Sequence, residues 1–240
     1  MNIAIISGAS RGIGRAFAAE LDKYGLDELW LISRSDIDTS AFLTKVRHFS
    51  LDITDASFTE IIKAALSESK STVKYLVCSA GVGYMGKVED NTEAQISNMI
   101  SLNCTALSLL TAVCISYMDK NCSILEIASG AGFIPQPNFA IYAASKSYVI
   151  SFSRALRQEL KPKGINVTAV CPGPVETDFF ASLNAPEYKK KYLISAEKVA
   201  KKAIKAVRKN KAICAPTFSM KAVHLASKLL PTSLLLKFYK

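Results

Sequence analysis

The sequence predicts an α/β fold in which a doubly wound parallel sheet lies between two layers of helices. Short apolar segments alternate along the chain with longer segments whose apolar residues recur at helical spacing. The short segments are almost continuously apolar, which is typical of strands buried on both faces of a parallel sheet. Right-handed crossovers between such strands produce a three-layer α/β/α sandwich.

Strands and helices are predicted in alternation. The strands are Asn2–Ser7, Glu28–Ser33, Arg47–Leu51, Lys74–Cys78, Ser123–Ala128, Ile165–Cys171 and Ala212–Ala215. The helices are Gly12–Tyr24, Thr54–Ser67, Glu93–Met118, Phe139–Leu160 and Ala196–Arg208. Thr54 and Asp55 are suitable N-cap residues for the second helix. The 240 residues fit one domain over residues 1–217, followed by an apolar and basic extension over residues 218–240.

Positive charge is concentrated at one end of the chain. Half of the residues are hydrophobic and 21% are charged, which excludes disorder as the main state. Residues 187–240 hold fourteen basic and two acidic residues, a net charge of +12, whereas the preceding 186 residues carry −2. Three explanations stay open for this segment: a solvated basic face, contact with an anionic membrane surface, or an acidic partner.

The cysteines and the N-terminus favour a cytoplasmic protein. The six cysteines are scattered without a C-x-x-C pair or a Cys/His cluster, so we expect reduced core residues and no metal site. No basic leader precedes the first apolar segment, and no unbroken apolar run reaches the roughly 18 residues of a membrane-spanning helix.

A glycine-rich turn joins the first predicted strand to the first helix. Residues 7–14 read Ser-Gly-Ala-Ser-Arg-Gly-Ile-Gly. A dinucleotide pyrophosphate needs a tight turn, a close backbone approach and a helix N-terminus facing its charge. Glycine meets the first two needs because it lacks a Cβ. The turn therefore predicts cofactor contacts at Gly8, Ser10, Arg11, Gly12, Ile13 and Gly14.

The end of the second strand predicts which dinucleotide binds. Ser33 and Arg34 occupy the place where many NAD-binding chains carry an acid for the ribose hydroxyls. An arginine there attracts a 2′-phosphate and can bind it through two hydrogen bonds. Arg11 in the glycine turn could reach the same phosphate. We therefore expect NADP(H), although Asp36 or Asp38 could bind the ribose if the loop folds differently.

Tyr142 and Lys146 are four residues apart in a predicted helix, so their side chains share a face. A free tyrosine has a pKa of about 10 and is a poor acid or base near neutrality. A nearby ammonium group favours the phenolate and lowers that pKa. Ser129 follows a predicted strand at the edge of the sheet where such folds bind ligands, and its hydroxyl could hold a substrate oxygen beside Tyr142.

Five ordered motifs resemble the short-chain dehydrogenase/reductase superfamily. Residues 7–14 match the family's T-G-x-x-x-G-x-G with serine in place of threonine, and residues 142–146 match Y-x-x-x-K. Ser129 lies thirteen residues before that motif, Asn103 matches the asparagine of the catalytic tetrad, and residues 172–177 match P-G-x-V-x-T. The resemblance runs from Gly8 to about Thr177 and implies a Rossmann-like fold.

The resemblance also implies a role for each matched residue. Tyr142 is expected to be the general acid in reduction and the base in oxidation, while Lys146 binds the nicotinamide ribose and lowers the tyrosine pKa. Ser129 orients the carbonyl, and Asn103 holds a water that links Lys146 to solvent. The other expected cofactor contacts are Asp52, Ile53, Ala80, Gly81, Pro172, Gly173, Val175 and Thr177.

One segment departs from the family pattern. Where the family usually has N-N-A-G, this chain has Cys78-Ser79-Ala80-Gly81. A serine hydroxyl offers fewer hydrogen-bonding groups than an amide, so Ser79 can replace only part of the usual bonding. The departure puts the detail of the adenosine pocket in doubt and leaves the catalytic tetrad intact.

Three segments, Val82–Lys87, Gly130–Phe139 and Asp178–Leu193, are expected to border the nicotinamide. Their large apolar side chains are Tyr84, Met85, Phe133, Ile134, Phe139, Phe179, Phe180, Leu183, Tyr188 and Tyr192. This lining favours an apolar carbonyl or alcohol such as a steroid, an acyl chain or an aryl ketone, unless the side chains pack against the fold or a second subunit. Lys87 and Lys189 could bind a carboxylate there.

The C-terminal extension has three possible placements. It could pack on its own or a partner subunit, lie on an anionic membrane, or close over the substrate site. Pro231 is expected to end or kink a helix within it. The sparsely charged Glu93–Met118 helix suggests a homodimer or homotetramer, because family members often pair through this helix.

Two other functions fit the sequence less well. A non-catalytic NADP(H)-sensing or scaffold protein would not need the intact tetrad of Asn103, Ser129, Tyr142 and Lys146. A nucleic-acid-binding module is suggested only by the pI near 9.3, and the chain carries no nucleic-acid motif. The sequence therefore favours an NADP(H)-dependent oxidoreductase.

Overall fold

The computed structural model describes residues 1–183 and 192–237 and contains the predicted parallel sheet. Its strands are β1 (Asn2–Ser7), β2 (Glu28–Ser33), β3 (Lys45–Ser50), β4 (Thr72–Cys78), β5 (Ser123–Ile127), β6 (Asn166–Val170) and β9 (Ile213–Cys214). They pair in parallel in the order β3-β2-β1-β4-β5-β6-β9. A separate pair joins β7 (Val175–Glu176) to β8 (Ile194–Ser195).

Helices cover both faces of the sheet. They are α1 (Gly12–Leu21), α2 (Phe58–Ser69), α3 (Glu93–Ile100), α4 (Leu107–Ile115), α5 (Ala140–Leu160), α6 (Asp178–Ala181), α7 (Ala196–Arg208), α8 (Phe218–Leu229) and α9 (Thr232–Leu236). One apolar core, which includes Trp30 and Phe58, packs α2, α4 and α5 on the sheet. The other, which includes Phe17 and Leu31, packs α1 and α7 on the opposite face. The predicted three-layer α/β/α sandwich is therefore confirmed.

The strand order reverses between β1 and β4, since the chain leaves β1 for β2 and β3 and then returns to pair β4 with the free side of β1. Loops at the carboxyl ends of these two strands diverge and leave a crevice. Gly8 follows β1 and Ala80 follows β4, so both lie at this crevice. The topology alone therefore places the glycine turn where open α/β sheets bind ligands.

Two predicted helices are corrected by the structure. The predicted Glu93–Met118 helix ends at Ile115 and changes from α to π geometry over Ser101–Ala106. The predicted Thr54–Ser67 helix begins only at Phe58, with Ser57 as its N-cap. Asp55 accepts a hydrogen bond from the Ser57 N–H in the turn before it, 3.0 Å away, and so does not cap the helix. Local turn bonding competes with helix initiation at this point.

The stretch Glu93–Ile115 is long and apolar enough to pass a length-and-composition test for a membrane span, although it contains no unbroken apolar run of that length. Within this fold it is a helix of the core layer. Its Thr111 is fully buried and donates a hydrogen bond to Glu126 on β5 at 2.8 Å. A core helix of a soluble domain meets the same composition test, so this stretch alone is weak evidence for a membrane.

The C-terminal segment forms two helices separated at Pro231, as the sequence predicts. The α8 helix packs against the turn Gly130–Phe133 that follows β5. His224 of α8 stacks on Phe133 with ring centroids 4.5 Å apart. All six cysteines are buried and free. No cluster of three or more metal-ligating side chains occurs within residues 1–183 and 192–237.

Candidate active site

The glycine turn is fixed by close backbone contacts and by one serine. Gly8 has a φ of +68°, and a Cβ on it would lie 2.8 Å from the Cα of Ala80. A Cβ on Gly14 would collide with the carbonyl oxygen of Gly8. The Ser7 hydroxyl accepts hydrogen bonds from the N–H groups of Ser79 and Ala80, at 3.1 and 3.2 Å. Ser7 thus ties the loop after β4 to β1.

The N-terminus of α1 faces the crevice without a side-chain cap. Arg11 is its N-cap residue and makes no capping hydrogen bond. The first N–H groups of a helix have no partner within the helix, and they carry the positive end of its dipole. This N-terminus is therefore suited to bind an anion at the glycine turn.

Two exposed arginines border the crevice. The Arg34 guanidinium lies 3.7 Å from the Asp52 carboxylate, and the Arg11 guanidinium lies 3.6 Å from that of Asp178. Exposed ion pairs of this kind contribute little free energy, so both guanidinium groups can turn toward a phosphate. Asp36 also borders the cavity, whereas Asp38 does not border it and accepts hydrogen bonds from Ser40.

Tyr142 lies in the first turn of α5 and is almost fully buried among aromatic rings. Its ring stacks on Phe139 with centroids 4.3 Å apart and lies 5.8 Å from the Phe179 centroid. A Cβ on Gly83 would lie 2.8 Å from Cδ2 of Tyr142, so the loop after β4 approaches the ring closely. The Ser129 hydroxyl lies beside the phenol and accepts a hydrogen bond from the Ala131 N–H at 3.1 Å. These contacts fix the phenol beside Ser129 at the cavity.

Lys146 is buried one turn after Tyr142. Its Nζ donates a hydrogen bond to the Ile127 carbonyl at 2.8 Å and lies 5.7 Å from the Tyr142 ring centroid. The predicted pairing of the two side chains on one helix face is therefore present. Gly81 lies between Lys146 and Asn103, since a Cβ there would be 3.3 Å from Nζ and 3.1 Å from the asparagine Oδ1.

The pKa values correct one part of the sequence argument. Burial raises the pKa of Tyr142 to about 12, and the neighbouring Ser129 hydroxyl offsets only part of this effect. Burial lowers the pKa of Lys146 to about 8, against the opposing effect of Cys104, Cys171 and Glu126. The expected net lowering of the tyrosine pKa is therefore not found, because loss of water around the phenol is the largest effect on it.

Asn103 lies in the π-helical segment and is fully buried. Its Nδ2 donates to the Val82 carbonyl at 2.9 Å and to the Ser145 hydroxyl at 3.0 Å, while its Oδ1 accepts from the Val82 N–H at 2.9 Å. These bonds connect the loop after β4 to α5. They leave one lone pair of Oδ1 for the water that the resemblance implies. The side chain therefore fixes the loop directly, and its role in a water relay stays a prediction.

A cavity of about 1660 Å³ joins these parts. It exceeds the roughly 300–1,000 Å³ of a pocket for one small ligand, so a dinucleotide and a second molecule fit together. All the residues predicted to bind the cofactor border it: Gly8, Ser10, Arg11, Gly12, Ile13, Gly14, Ser33, Arg34, Asp52, Ile53, Ala80, Gly81, Tyr142, Lys146, Pro172, Gly173, Val175 and Thr177. Of the predicted tetrad, Ser129 also borders the cavity, whereas Asn103 lies behind its wall.

A family model described as short chain dehydrogenase matches residues 2–188. The chain belongs to this family. Human 17-beta-hydroxysteroid dehydrogenase type 3 is 31% identical over 191 residues, which cover 75% of this chain and 61% of that protein. The mouse very-long-chain 3-oxoacyl-CoA reductase is 33% identical over 221 residues, which cover 85% of this chain and 68% of that protein. The chain thus spans about three fifths to two thirds of the length of these two relatives.

Solved structures of family members share the fold. A short-chain dehydrogenase from Sphingobium yanoikuyae in complex with NADPH superimposes with a TM-score of 0.82 at 24% identity, over 95% of this chain and 94% of that one. The 4-hydroxyisoleucine dehydrogenase complexed with NADH gives a TM-score of 0.78 at 19% identity, over 90% and 96%. The family fold therefore extends beyond the motifs, over most of the chain.

The expected substrate lining is present in part. Eight of the ten large side chains named from the sequence border the cavity: Tyr84, Met85, Ile134, Phe139, Phe179, Phe180, Leu183 and Tyr192. Phe133 was expected in this lining, but it does not border the cavity and its ring stacks on His224 instead. Lys87 does not border the cavity and lies 3.4 Å from Glu89. Tyr188 and Lys189 lie outside the described residues.

The cavity has one wall that the motifs did not predict. Ser219, Met220, Val223 and Ala226 of α8 border it, followed by Leu230 and Leu235. The Met220 sulfur contacts Gly130 and Gly173, which have no side chains to keep it away. The C-terminal extension packs on its own subunit and covers one side of the site, so two of the three placements considered for it occur together, and contact with a membrane stays a prediction.

Glu126 is a buried acid near the site that the sequence motifs did not predict. It is fully buried on β5, where Oε1 accepts from Thr111 at 2.8 Å and Oε2 has no hydrogen-bond partner. Burial raises its pKa to about 7, while the hydrogen bond from Thr111, the nearby Cys78 thiol and the charge of Lys146 act in the opposite direction. A lone acid inside an otherwise apolar predicted strand was the available sequence signal.

Proposed function

We propose that this family member is an NADP(H)-dependent oxidoreductase that interconverts a ketone or aldehyde and an alcohol, with Tyr142 as general acid and base. The observation that carries the proposal is the position of the phenol. It is buried, stacked on Phe139, next to Ser129 and one turn from the buried Lys146, at a cavity large enough for two ligands. These are the requirements for proton transfer to a bound carbonyl.

A dinucleotide fits the crevice. The glycine turn leaves space where side chains would collide, and α1 points its uncapped N-terminus at that space. A bound nicotinamide supplies a hydride in reduction and accepts one in oxidation. Lys146 borders the cavity and would hold the nicotinamide ribose. The nicotinamide ring itself would lie beside Pro172, Gly173, Val175 and Thr177, which border the same cavity.

Proton transfer is assigned to Tyr142. A pKa of about 12 keeps the phenol neutral near neutral pH, so it holds the proton that a reduced carbonyl oxygen needs. Ser129 positions that oxygen through its hydroxyl. When the phenol gives up its proton, the ammonium group of Lys146 stabilises the phenolate that forms, and the low dielectric of the site strengthens this attraction. In oxidation the same groups act in reverse.

The preference for NADP(H) rests on Arg34 and Arg11. Both border the cavity, and each is held only by an exposed carboxylate. A 2′-phosphate offers each guanidinium a more highly charged, bidentate partner. Solved family members carry NADPH, NADP or NADH, so the family supports a nicotinamide cofactor in general. The two arginines support NADP(H) in particular.

The substrate is proposed to be apolar. The aromatic side chains after β4 and in α6, together with the α8 wall, surround the space beside Tyr142. Relatives of the chain include a hydroxysteroid dehydrogenase and a very-long-chain 3-oxoacyl-CoA reductase, and a steroid and a very long acyl chain are both apolar. Apolar lining with a few polar groups at the reacting atom is the usual form of a pocket for such molecules.

We also propose that the protein is a cytoplasmic homodimer or homotetramer. Ile100 and Tyr148 are more than 40% exposed on the α3 and α5 surface, where the stacked rings of Tyr148 and Phe152 form an apolar patch. Burying such a patch against a second copy would be favourable. Light scattering of the purified chain tests this, and a monomer at micromolar concentration would contradict it.

The function is tested by a screen of ketones and aldehydes that follows NADPH loss, with NADH run in parallel. We expect turnover of bulky apolar carbonyls with a kcat/KM for NADPH at least about tenfold above that for NADH, the value of one charge-assisted contact. Absence of turnover with every carbonyl and both cofactors would contradict the proposal. Equal use of NADH would contradict only the assignment of Arg34 and Arg11.

A further inference from the structure

The α8 helix has two faces of different character. Ser219, Met220, Val223 and Ala226 face the cavity. Phe218, Leu225 and Leu229 do not border it, and they are 86%, 58% and 71% exposed. With 3.6 residues per turn, these three side chains lie within about 40° of one another around the helix axis. We call Phe218, Leu225 and Leu229 the outer stripe.

The charged residues of α8 are all of one sign. Lys221 and Lys228 are exposed and flank the stripe on the same side of the helix. Beyond Glu197 the sequence contains no acidic residue, so the whole C-terminal segment is basic. Apolar residues on one face with lysines at its margin are the pattern of a helix that lies in a membrane interface. Anionic headgroups would pair with the lysines while the stripe enters the acyl boundary.

We propose that the outer stripe docks this protein on an anionic lipid bilayer. A second copy of the chain is a poorer occupant, because an antiparallel two-fold contact through the stripe would bring the Lys221 and Lys228 side chains of both copies together. Like charges facing each other across an interface oppose association. A bilayer has no such conflict, since its charge is opposite to that of the lysines.

Docking also places the cavity next to the lipid. The outer stripe and the cavity wall are opposite faces of one helix, which is about 10–12 Å across with its side chains. Leu230 and Leu235 continue the wall beyond α8 and border the cavity. This consequence rests on the proposed function, because it gives an apolar substrate dissolved in the bilayer a short path to Tyr142. The docking itself does not depend on that function.

Vesicle sedimentation of the full chain tests the docking. We expect binding to phosphatidylcholine vesicles that contain phosphatidylserine and weak binding to phosphatidylcholine alone. The variant F218S/L225S/L229S should bind the anionic vesicles at least about tenfold less, because it removes the buried apolar area. The matched control is Leu43→Ser, which changes a 95% exposed leucine on the β2–β3 connection and should leave binding unchanged.

The charge is tested separately with K221Q/K228Q. Each lysine near an anionic surface is worth roughly a fivefold change in affinity, so the pair should cost about 30-fold. The control K161Q/K163Q removes the same charge from the exposed C-terminal end of α5 and should have no effect. These two variants change only exposed residues, so they keep the test valid if the stripe variant fails to fold.

Two results would overturn the proposal. The first is equal sedimentation of the wild type with and without phosphatidylserine, or of the wild type and K221Q/K228Q. The second is a lower oligomer mass for the stripe variant in light scattering, which would make the stripe a subunit interface. Sedimentation is measured without cofactor or substrate. A chain that binds vesicles but reduces no carbonyl would therefore contradict the proposed function and leave the docking intact.

Discussion

The charged groups are buried at one end of the cavity and exposed at the other. At the catalytic end, Lys146 and Glu126 are buried, and burial moves the pKa of both toward neutrality. At the phosphate end, Arg11 and Arg34 are mostly exposed and make long ion pairs with exposed carboxylates. The chemistry of the first end is therefore set by desolvation, whereas recognition at the second is set by charges that are free to reorient. Changes at the two ends should alter different kinetic constants.

The largest effect is expected at the catalytic end. Replacing Lys146 by alanine should lower kcat by about 10²–10⁴-fold, since the phenolate formed on Tyr142 loses the ammonium group that stabilises it. Steady-state kinetics with NADPH and the best ketone measure this, with Lys163→Ala as the exposed-lysine control. A loss confined to KM, with kcat unchanged, would show that Lys146 only binds the cofactor and would remove the contrast between the two ends.

A smaller and more selective effect is expected at the phosphate end. Arg34→Ala should raise the KM for NADPH by about 10–100-fold, the value of a lost charged hydrogen bond, and leave the KM for NADH nearly unchanged. Arg154→Ala is the control, because this exposed arginine does not border the cavity. Equal changes for both cofactors would mean that Arg34 does not recognise the 2′-phosphate.

The third effect concerns stability and its dependence on pH. The pKa of Glu126 is raised from 4.5 to about 7, so the folded chain binds this proton more tightly than the unfolded chain. The contribution of Glu126 to the free energy of unfolding therefore falls as the pH rises from about 4.5 to about 7, and it stays low above pH 7. Glu126→Gln should stabilise the protein above pH 7 by at most about 3 kcal/mol and have little effect near pH 4.5.

Glu28→Gln provides the control of opposite sign. Burial raises the pKa of Glu28, but hydrogen bonds from Lys45 and Trp30 outweigh burial and hold it below its ordinary value. Removing that charge should destabilise the protein at neutral pH, and this destabilisation should become smaller as the pH falls below about 4.5. Thermal melts at several pH values measure both variants. Parallel curves for Glu126→Gln and the wild type would show that Glu126 is not a desolvated carboxylate.

The sequence predicted the parts of the fold and site that follow from short-range spacing. Apolar periodicity located the strands of the seven-stranded sheet, and the glycines at positions 8, 12 and 14 marked the turn that a side chain would block. A four-residue spacing placed Tyr142 and Lys146 on one face of α5, because the helix repeat brings such residues together. The family motifs then indicated which residues meet at the cavity.

Features that depend on long-range packing could not be predicted in this way. The reach of α8 across to Gly130 depends on how the chain returns after β9, which no local pattern encodes. The π geometry that carries Asn103 arises inside a segment whose composition is simply helical. The direction of the tyrosine pKa depends on burial, and four-residue spacing to a lysine gives no measure of burial. Sequence reasoning therefore found the groups and misjudged their environment.

The central claim is that the Tyr142 hydroxyl transfers the proton, and one paired measurement tests it most directly. In Tyr142→Phe the ring can keep its stacking on Phe139 while the hydroxyl is lost. We predict a fall in kcat of at least about 10²-fold with an unchanged Kd for NADPH, because the group acts in the chemical step. Turnover at the wild-type rate, with NADPH still bound, would contradict the account.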